Sequence, residues 1–232
     1  SIHFNSPDLQ LTVQDIKLDW QPGALLAGKL SILVVSAKNI EVHVKPSDTP
    51  SILPESLRLP VAVSILKLHV ATLRLFTKEG DEPDFAATAL SAKLESDGKQ
   101  HDLSTLQFIS KLGKLNASAK IDGNRPFNLT AQGRLAGQTE LDTNQLSKVN
   151  IFTTITGNLE QLNTKLEGKI AGVNADMVAQ LRPYAALPIG AIRISVDGFN
   201  PKIFASDAPK ANLTLHADLH EQDETGPLSG NL

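Results

Sequence analysis

Apolar and polar residues alternate with a period of two along most of this chain. The pattern is clearest over residues 11–44, LTVQDIKLDWQPGALLAGKLSILVVSAKNIEVHV. Ile16, Leu18 and Trp20 form one alternating set, Leu30, Ile32 and Val34 a second, and Ile40, Val42 and Val44 a third. In an extended strand this period sends one set to one face and the intervening residues to the other. The PGALLAG segment between the first two sets breaks it. Pro22 suits the first position of a helix, Ala24 to Ala27 are good helix formers, and Gly28 suits the left-handed residue that ends one. The pattern predicts strand, one or two helical turns, strand, strand.

Residues 46–60 (PSDTPSILPESLRLP) carry four prolines, which fix φ and remove donors, so they form a loop or an extended crossing segment rather than a ladder strand. Leu66, Leu68 and Val70 then alternate with Lys67 and His69, and Leu73 and Leu75 flank Arg74. The phase changes at Ala71-Thr72, as a bulge or tight turn would change it. Further strands are expected near 85–94, 103–110, 115–121, 127–135, 149–156, 163–170, 174–181, 191–197 and 211–219, with a hairpin signal at Asp122-Gly123-Asn124. Helical turns are expected only at 22–27, 144–148 and 201–204, the last with Asn200 as cap and Pro201 in the first position.

A chain of sequential strands gives an antiparallel meander. Its closures are a sandwich, a barrel, or an open curved sheet that grows along one axis. The polar strand-like start at Ser1 and the end GPLSGNL read as strands cut short, so a fragment of a longer protein is expected. The fold expectation is mainly β: one elongated, curved antiparallel sheet over 1–232, with an end module at 1–80 and continuing strand modules at 81–232.

Composition removes several function classes. The 22 Lys and Arg against 25 Asp and Glu leave a net charge of −3, with no basic excess to hold nucleic acid. With no cysteine there is no thiolate metal site and no cysteine nucleophile. Gly23 to Lys29 matches G-x-x-x-x-G-K, but Leu30 stands where a Ser or Thr would hold magnesium, and the loop interior is apolar. His216, Asp218 and His220 share a strand face, yet positions four apart lie ~13 Å from each other, too far for one ion. No catalytic group, metal ligand or cofactor is expected. Asn116, Asn128 and Asn212 match the glycosylation acceptor pattern as polar strand positions.

Three blocks carry a resemblance. They are LDWQPGALLAGKLSI followed by NIEVHV, LPESLRLPVAVSILKLHVATLRL, and RPYAALPIGAIRISVDGFNPKIF followed by APKANLTLHADL. In order and spacing the chain resembles the AsmA-like family, its TamB-like members above all, over both ends and the first third; from about residue 85 to 161 it matches in texture alone. The resemblance implies a periplasmic segment of a Gram-negative bacterium, anchored to the inner membrane by a helix outside this sequence. It also implies a U-shaped β-taco with an apolar concave face, phospholipid transport between membranes, and outer-membrane biogenesis with a TamA-like barrel partner.

On that reading the groove lining is Ile16, Leu18 and Trp20, with Leu30, Ile32, Val34, Ile40 and Val42 from the next runs. Leu66, Leu68, Val70, Leu73 and Leu75 continue it, then Ile121, Phe127 and Leu129, then Ile192, Ile194 and Val196. Leu25 and Leu26 form an end-cap or entrance. Lys17, Lys67, His69, Arg74, Lys120 and Arg193 face water on the convex side. Alternation alone favours faces that pack on one another as a sandwich core; the resemblance turns the reading toward a groove. The competing functions are a scaffold for outer-membrane protein assembly and a compact β-barrel carrier.

Overall fold

The computed structural model describes the chain apart from residues 7, 8, 45–51, 79, 81, 141–145, 186, 205, 206, 222–227 and 232, and apart from the side chains of 139, 140, 146, 147, 203, 204 and 228. The chain is mainly β and divides into two units. The first comprises residues 1–50, 55–111 and 115–125; the second comprises 51–54, 112–114 and 126–232. The strands at residues 62–76 and 85–96, on either side of residue 80, pair with one another. Among the described residues no helix is long and apolar enough to cross a membrane.

The first unit opens with β1 (Ile2–Asn5), β2 (Leu9–Gln14) and β3 (Lys17–Gln21). A 3-10 helix at Pro22–Ala27 follows, ended by Gly28 at φ 69°, whose amide donates to Leu25 O at 2.9 Å. Proline at its start and a left-handed glycine at its end fix this turn at the predicted place. β4 (Lys29–Val44) is one sixteen-residue strand where two were expected. Nothing between Val34 and Ile40 turns the chain; β4 keeps one register against β5 from Lys29 to His43, and its irregularity against β3 lies earlier, at Leu33. β2 and β3 lie end to end along one edge of β4, and β5 (Ala62–Phe76) lies along the other.

β4 and β5 are parallel, a departure from the expected all-antiparallel meander. Parallel neighbours need a crossover of about a dozen residues or more, and the proline-rich stretch supplies it. Its described part is tied across the strand ends: Leu57 N donates to Gly123 O at 3.0 Å and Leu59 N to Gly98 O at 2.9 Å. His101 Nε2 meets Leu57 O at 2.9 Å while its Nδ1 lies 2.8 Å from Ser96 Oγ. Because a carbonyl only accepts, Nε2 is the donor there. Gly98, at φ 90°, leaves room for this strap; a Cβ would stand 3.0 Å from Leu59 O. β6 (Phe85–Ser96), β7 (Gln100–Ser110) and β8 (Gly113–Asp122) complete the order β1-β2-β4-β5-β6-β7-β8.

The second unit is a regular antiparallel meander. Its strands are β9 (Asn128–Glu140), β10 (Leu146–Asn158), β11 (Leu162–Ile170), β12 (Val173–Leu181), β13 (Ile189–Phe199), β14 (Leu213–Glu221) and β15 (Leu228–Asn231), each paired to the next. α1 (Pro201–Phe204) sits where predicted, and Asn200 Oδ1 accepts from Lys202 N at 3.2 Å. Of the turn expected at 144–148, residues 144 and 145 lie outside the described residues and 146–148 begin β10, so that stretch is strand.

Candidate functional site

Residues directly opposite on neighbouring strands point to the same side of a sheet, so the registers map each face. In the first unit Trp20, Ile32, Ile65, Leu94 and Leu103 are successive cross-strand partners, and so are Leu18, Val35, Leu68, Ala92 and Leu106. The two rows lie two residues apart in β3 and β6 but three apart in β4, β5 and β7, where bulges insert one residue. Leu30 and Val63 extend this side at one end, and Ala37, Val70 and Leu90 at the other. The phase changes again at Ala71, opposite Ala89, whose backbone is left-handed at φ 51°. Beyond it runs a second block of rows: Val13, Ile40, Leu73 and Ala87, then Leu11, Val42, Leu75 and Phe85. β1 adds Ile2 and Phe4 opposite Val13 and Leu11.

The other side is polar. Ser36, His69, Ser91 and Gln107 form one row there. In the second block Arg74 Nη1 lies 3.1 Å from Glu41 Oε1, and Asn39 Nδ2 donates to the same oxygen at 3.0 Å. The Asn39 hydrogen bond first, and the Arg74 guanidinium after it, hold the Glu41 carboxyl below its ordinary value. His43 stacks on Phe76 with ring centroids 4.3 Å apart.

The second unit separates its faces more strictly. One side carries Leu135, Ile151, Gly168, Ala175, Val196 and Leu215 as one row. Leu166, Met177, Ile194 and Ala217 belong to the next, and Ile155, Thr164, Ala179, Ile192 and Leu219 to the one after. The opposite side carries Lys165, Arg193 and Asp218, with Arg134, Glu167, Asp176, Ser195 and His216 beside them. Arg193 Nη2 donates to Asp218 Oδ2 at 2.7 Å, Lys165 pairs with Glu167, and the Arg134 guanidinium lies 5.0 Å from the centre of the Phe152 ring.

Neither apolar face is closed off as a two-layer core would be. Val70, Val149 and Val173 are buried, but Ile155, Leu166, Met177, Ile192 and Ile194 keep part of their surface in water. Leu18 is 55% exposed and Leu215 47%. Among the described residues Phe127 is the one large side chain that is fully buried.

Most of the predicted lining stands on these faces. Leu18, Trp20, Leu30, Ile32, Leu68 and Val70 share the first block, and Ile40, Val42, Leu73 and Leu75 the second. Leu129, Ile192, Ile194 and Val196 stand on the apolar face of the second unit. Val34 and Leu66 do not belong. Val34 pairs with Asp19, the neighbour of Leu18, and so faces the polar side, while Val35 takes its place. Leu66 lies in the β5 bulge, displaced by Ile65, and with Val34, Lys67, His69 and Lys93 it lines a shallow depression of about 480 Å3. Phe127 is also corrected: at φ 59° and with no exposed surface, it offers nothing to a ligand. Ile16 is exposed in the bend before β3, and Ile121 is half-buried in β8. Leu25 and Leu26 form the tip of the 3-10 helix, where Leu26 is 96% exposed.

Alternation missed Ile65, Val35 and Leu94 in the first unit and Leu166, Met177 and Leu219 in the second. The latter were legible in period, but Thr, Gly and Ala dilute their rows. Among the described residues no three His, Asp or Glu side chains gather closely enough to hold a metal ion, and Asp218 is engaged by Arg193. The chemistry on offer is non-directional: an aliphatic face backed by an ion-paired polar one. Compared with family models, curated proteins and solved structures, the chain matches none.

Proposed function

We propose that this chain carries lipid acyl chains on its apolar sheet faces, as a segment of an AsmA-like, TamB-like protein that moves phospholipid across the periplasm between inner and outer membrane. It acts as a carrier rather than a catalyst, and its full-length form works with a TamA-like outer-membrane barrel in outer-membrane biogenesis. The observation that carries this reading is the aliphatic face of the second unit, continuous over successive strands, with Leu166, Met177, Ile192, Ile194 and Val196 each partly open to water. Removing such surface from water is worth about 25 cal/mol per Å2. The contact is indifferent to position, so a bound chain can slide. Six strands at ~4.8 Å spacing give ~24 Å of path across the second unit, longer than the ~15 Å of one leaflet of a bilayer core. Polar residues, alternating with the lining, keep the other side in water.

Purification without detergent, followed by mass spectrometry, is expected to yield bound phospholipid. The delipidated protein is expected to take up a fluorescent acyl chain, and Ile194→Asp to lower that uptake about tenfold by placing a charge among Met177, Ala217 and Leu219. Absence of lipid together with absence of uptake contradicts the proposal.

A further inference from the structure

Two strands share the lane beside β4, and only one of them is covered on its far side. β2 and β3 hold the same register against β4, with Gln14 opposite Asn39 and Lys17 opposite Ser36. They form one line broken at Asp15, where φ is 52°. β1 lies along the outer edge of β2, opposite Gln10 to Val13. Among the described residues β3 pairs with β4 alone. Its outer edge, Lys17 to Gln21, presents main-chain donors and acceptors that no described strand takes up, and all five residues are exposed. Pro22 follows at once and has no N–H to extend a ladder, so the open edge is ~17 Å long at strand rise.

The covered half of the lane shows what the uncovered half lacks. Ile2 and Phe4 stand opposite Val13 and Leu11 and carry the apolar rows of the second block one strand further. With that neighbour in place, Leu11 and Val13 are half-buried. The rows of the first block stop one strand short. They end at Leu18 and Trp20, which stay 55% and 36% exposed at the margin of the sheet. On the other side of β3, Lys17 and Asp19 are exposed charges of opposite sign at alternate positions.

We propose that the outer edge of β3 docks an extended segment of a partner protein, which adds to the sheet antiparallel to β3 and in line with β1. A row of donors and acceptors at strand spacing is the complement of another extended backbone, so main-chain hydrogen bonds supply the binding. Side chains at alternate positions supply the selection. Apolar residues of the segment lie opposite Leu18 and Trp20, as Ile2 and Phe4 do for Val13 and Leu11. Between them a basic residue meets Asp19 and an acidic one meets Lys17. This docking uses the margin of the sheet and does not rest on the carriage of acyl chains.

Trp20, the sole tryptophan, stands in the site and reports on it. The whole chain is titrated with the acetylated, amidated peptide Thr-Val-Lys-Val-Glu-Val, designed to run from Gln21 to Ile16, and a saturable change in Trp20 emission is expected. Two analogues N-methylated at alternate amides separate main-chain pairing from mere adhesion. The one whose methyl groups face β3 is expected to lose at least about tenfold in affinity, and the other to bind as the parent does. Lys17→Glu/Asp19→Lys is expected to bind the parent peptide about fivefold more weakly and to regain affinity for Thr-Val-Glu-Val-Lys-Val. An emission unmoved at millimolar peptide, equal binding of the two methylated analogues, or no recovery with the exchanged peptide overturns the docking. Emission that changes with protein concentration before any peptide is added assigns the edge to a second copy and overturns the partner. Ile194→Asp, the variant that tests acyl-chain uptake, is expected to bind the peptide as the wild type does, so either reading can fail while the other stands.

Discussion

The two units build an apolar face by different means. In the second, alternation suffices over the central rows: each of β9 to β14 keeps its phase there, and the register shifts only at the two ends of β13, near Gly190 and Gly198. In the first, the long strands β4 and β5 slip phase at Leu33-Val34 and at Leu66-Lys67, and the lining passes from one parity to the other. A bulge is nearly invisible in sequence because Leu, Val and Ile occupy both parities around it; Leu33, Val34 and Val35 are equally apolar. Alternation is therefore a reliable guide to a face only where the off-face positions are polar.

The contrast can be broken at several points. The largest expected effect is on stability. Phe127, fully buried in the second unit, concentrates packing in one ring, and Phe127→Ala is expected to cost about 3–5 kcal/mol. Val70, at 3% exposure the corresponding anchor of the first unit, is expected to cost only about 1.5 kcal/mol as Val70→Ala, near 0.8 per methylene removed. Urea unfolding of the two variants measures the difference, and equal costs erase it.

A sharper probe reads the phase itself. Ile65→Asp is expected to lower acyl-chain uptake about tenfold, whereas Leu66→Asp, at a position already 43% exposed on the polar side, leaves uptake near the wild type. The reverse ranking restores unbroken alternation in β5 and removes the bulge from the account.

The smallest effect is electrostatic. With its folded pKa depressed, Glu41 contributes stability at neutral pH that is lost as pH falls through the carboxylate range. The pair with Arg74 is substantially exposed, so its share is about 0.2–1 kcal/mol. Urea midpoints at neutral and acid pH are expected to converge for wild type and Glu41→Gln as the pH drops. A gap that widens instead contradicts the assignment.

Much of this architecture is legible in the sequence for identifiable reasons. Pro22 and Gly28 punctuate the 3-10 turn, Asn200 and Pro201 open α1, and nine expected strands from Phe85 onward fall on observed ones. The parallel pairing of β4 and β5 is not legible, because a proline-rich connection states only that the chain is extended, not which edge it reaches. The burial of Phe127 is likewise set by a left-handed backbone that the residue type disfavours. For the candidate site, the periodicity identifies the apolar faces but is silent on whether a second layer covers them; partial exposure along the rows supplies that.

The measurement that tests the central proposal most directly uses the absence of cysteine from the chain. Met177 and Val178 are adjacent on β12 and face opposite sides, the first opposite Leu166 and Ile194, the second opposite Lys165 and Arg193. An environment-sensitive fluorophore on Met177→Cys is expected to shift to the blue when phospholipid is supplied, while the same probe on Val178→Cys stays at its aqueous emission. An equal response at both positions, or none at 177, contradicts acyl chains lying on the apolar face.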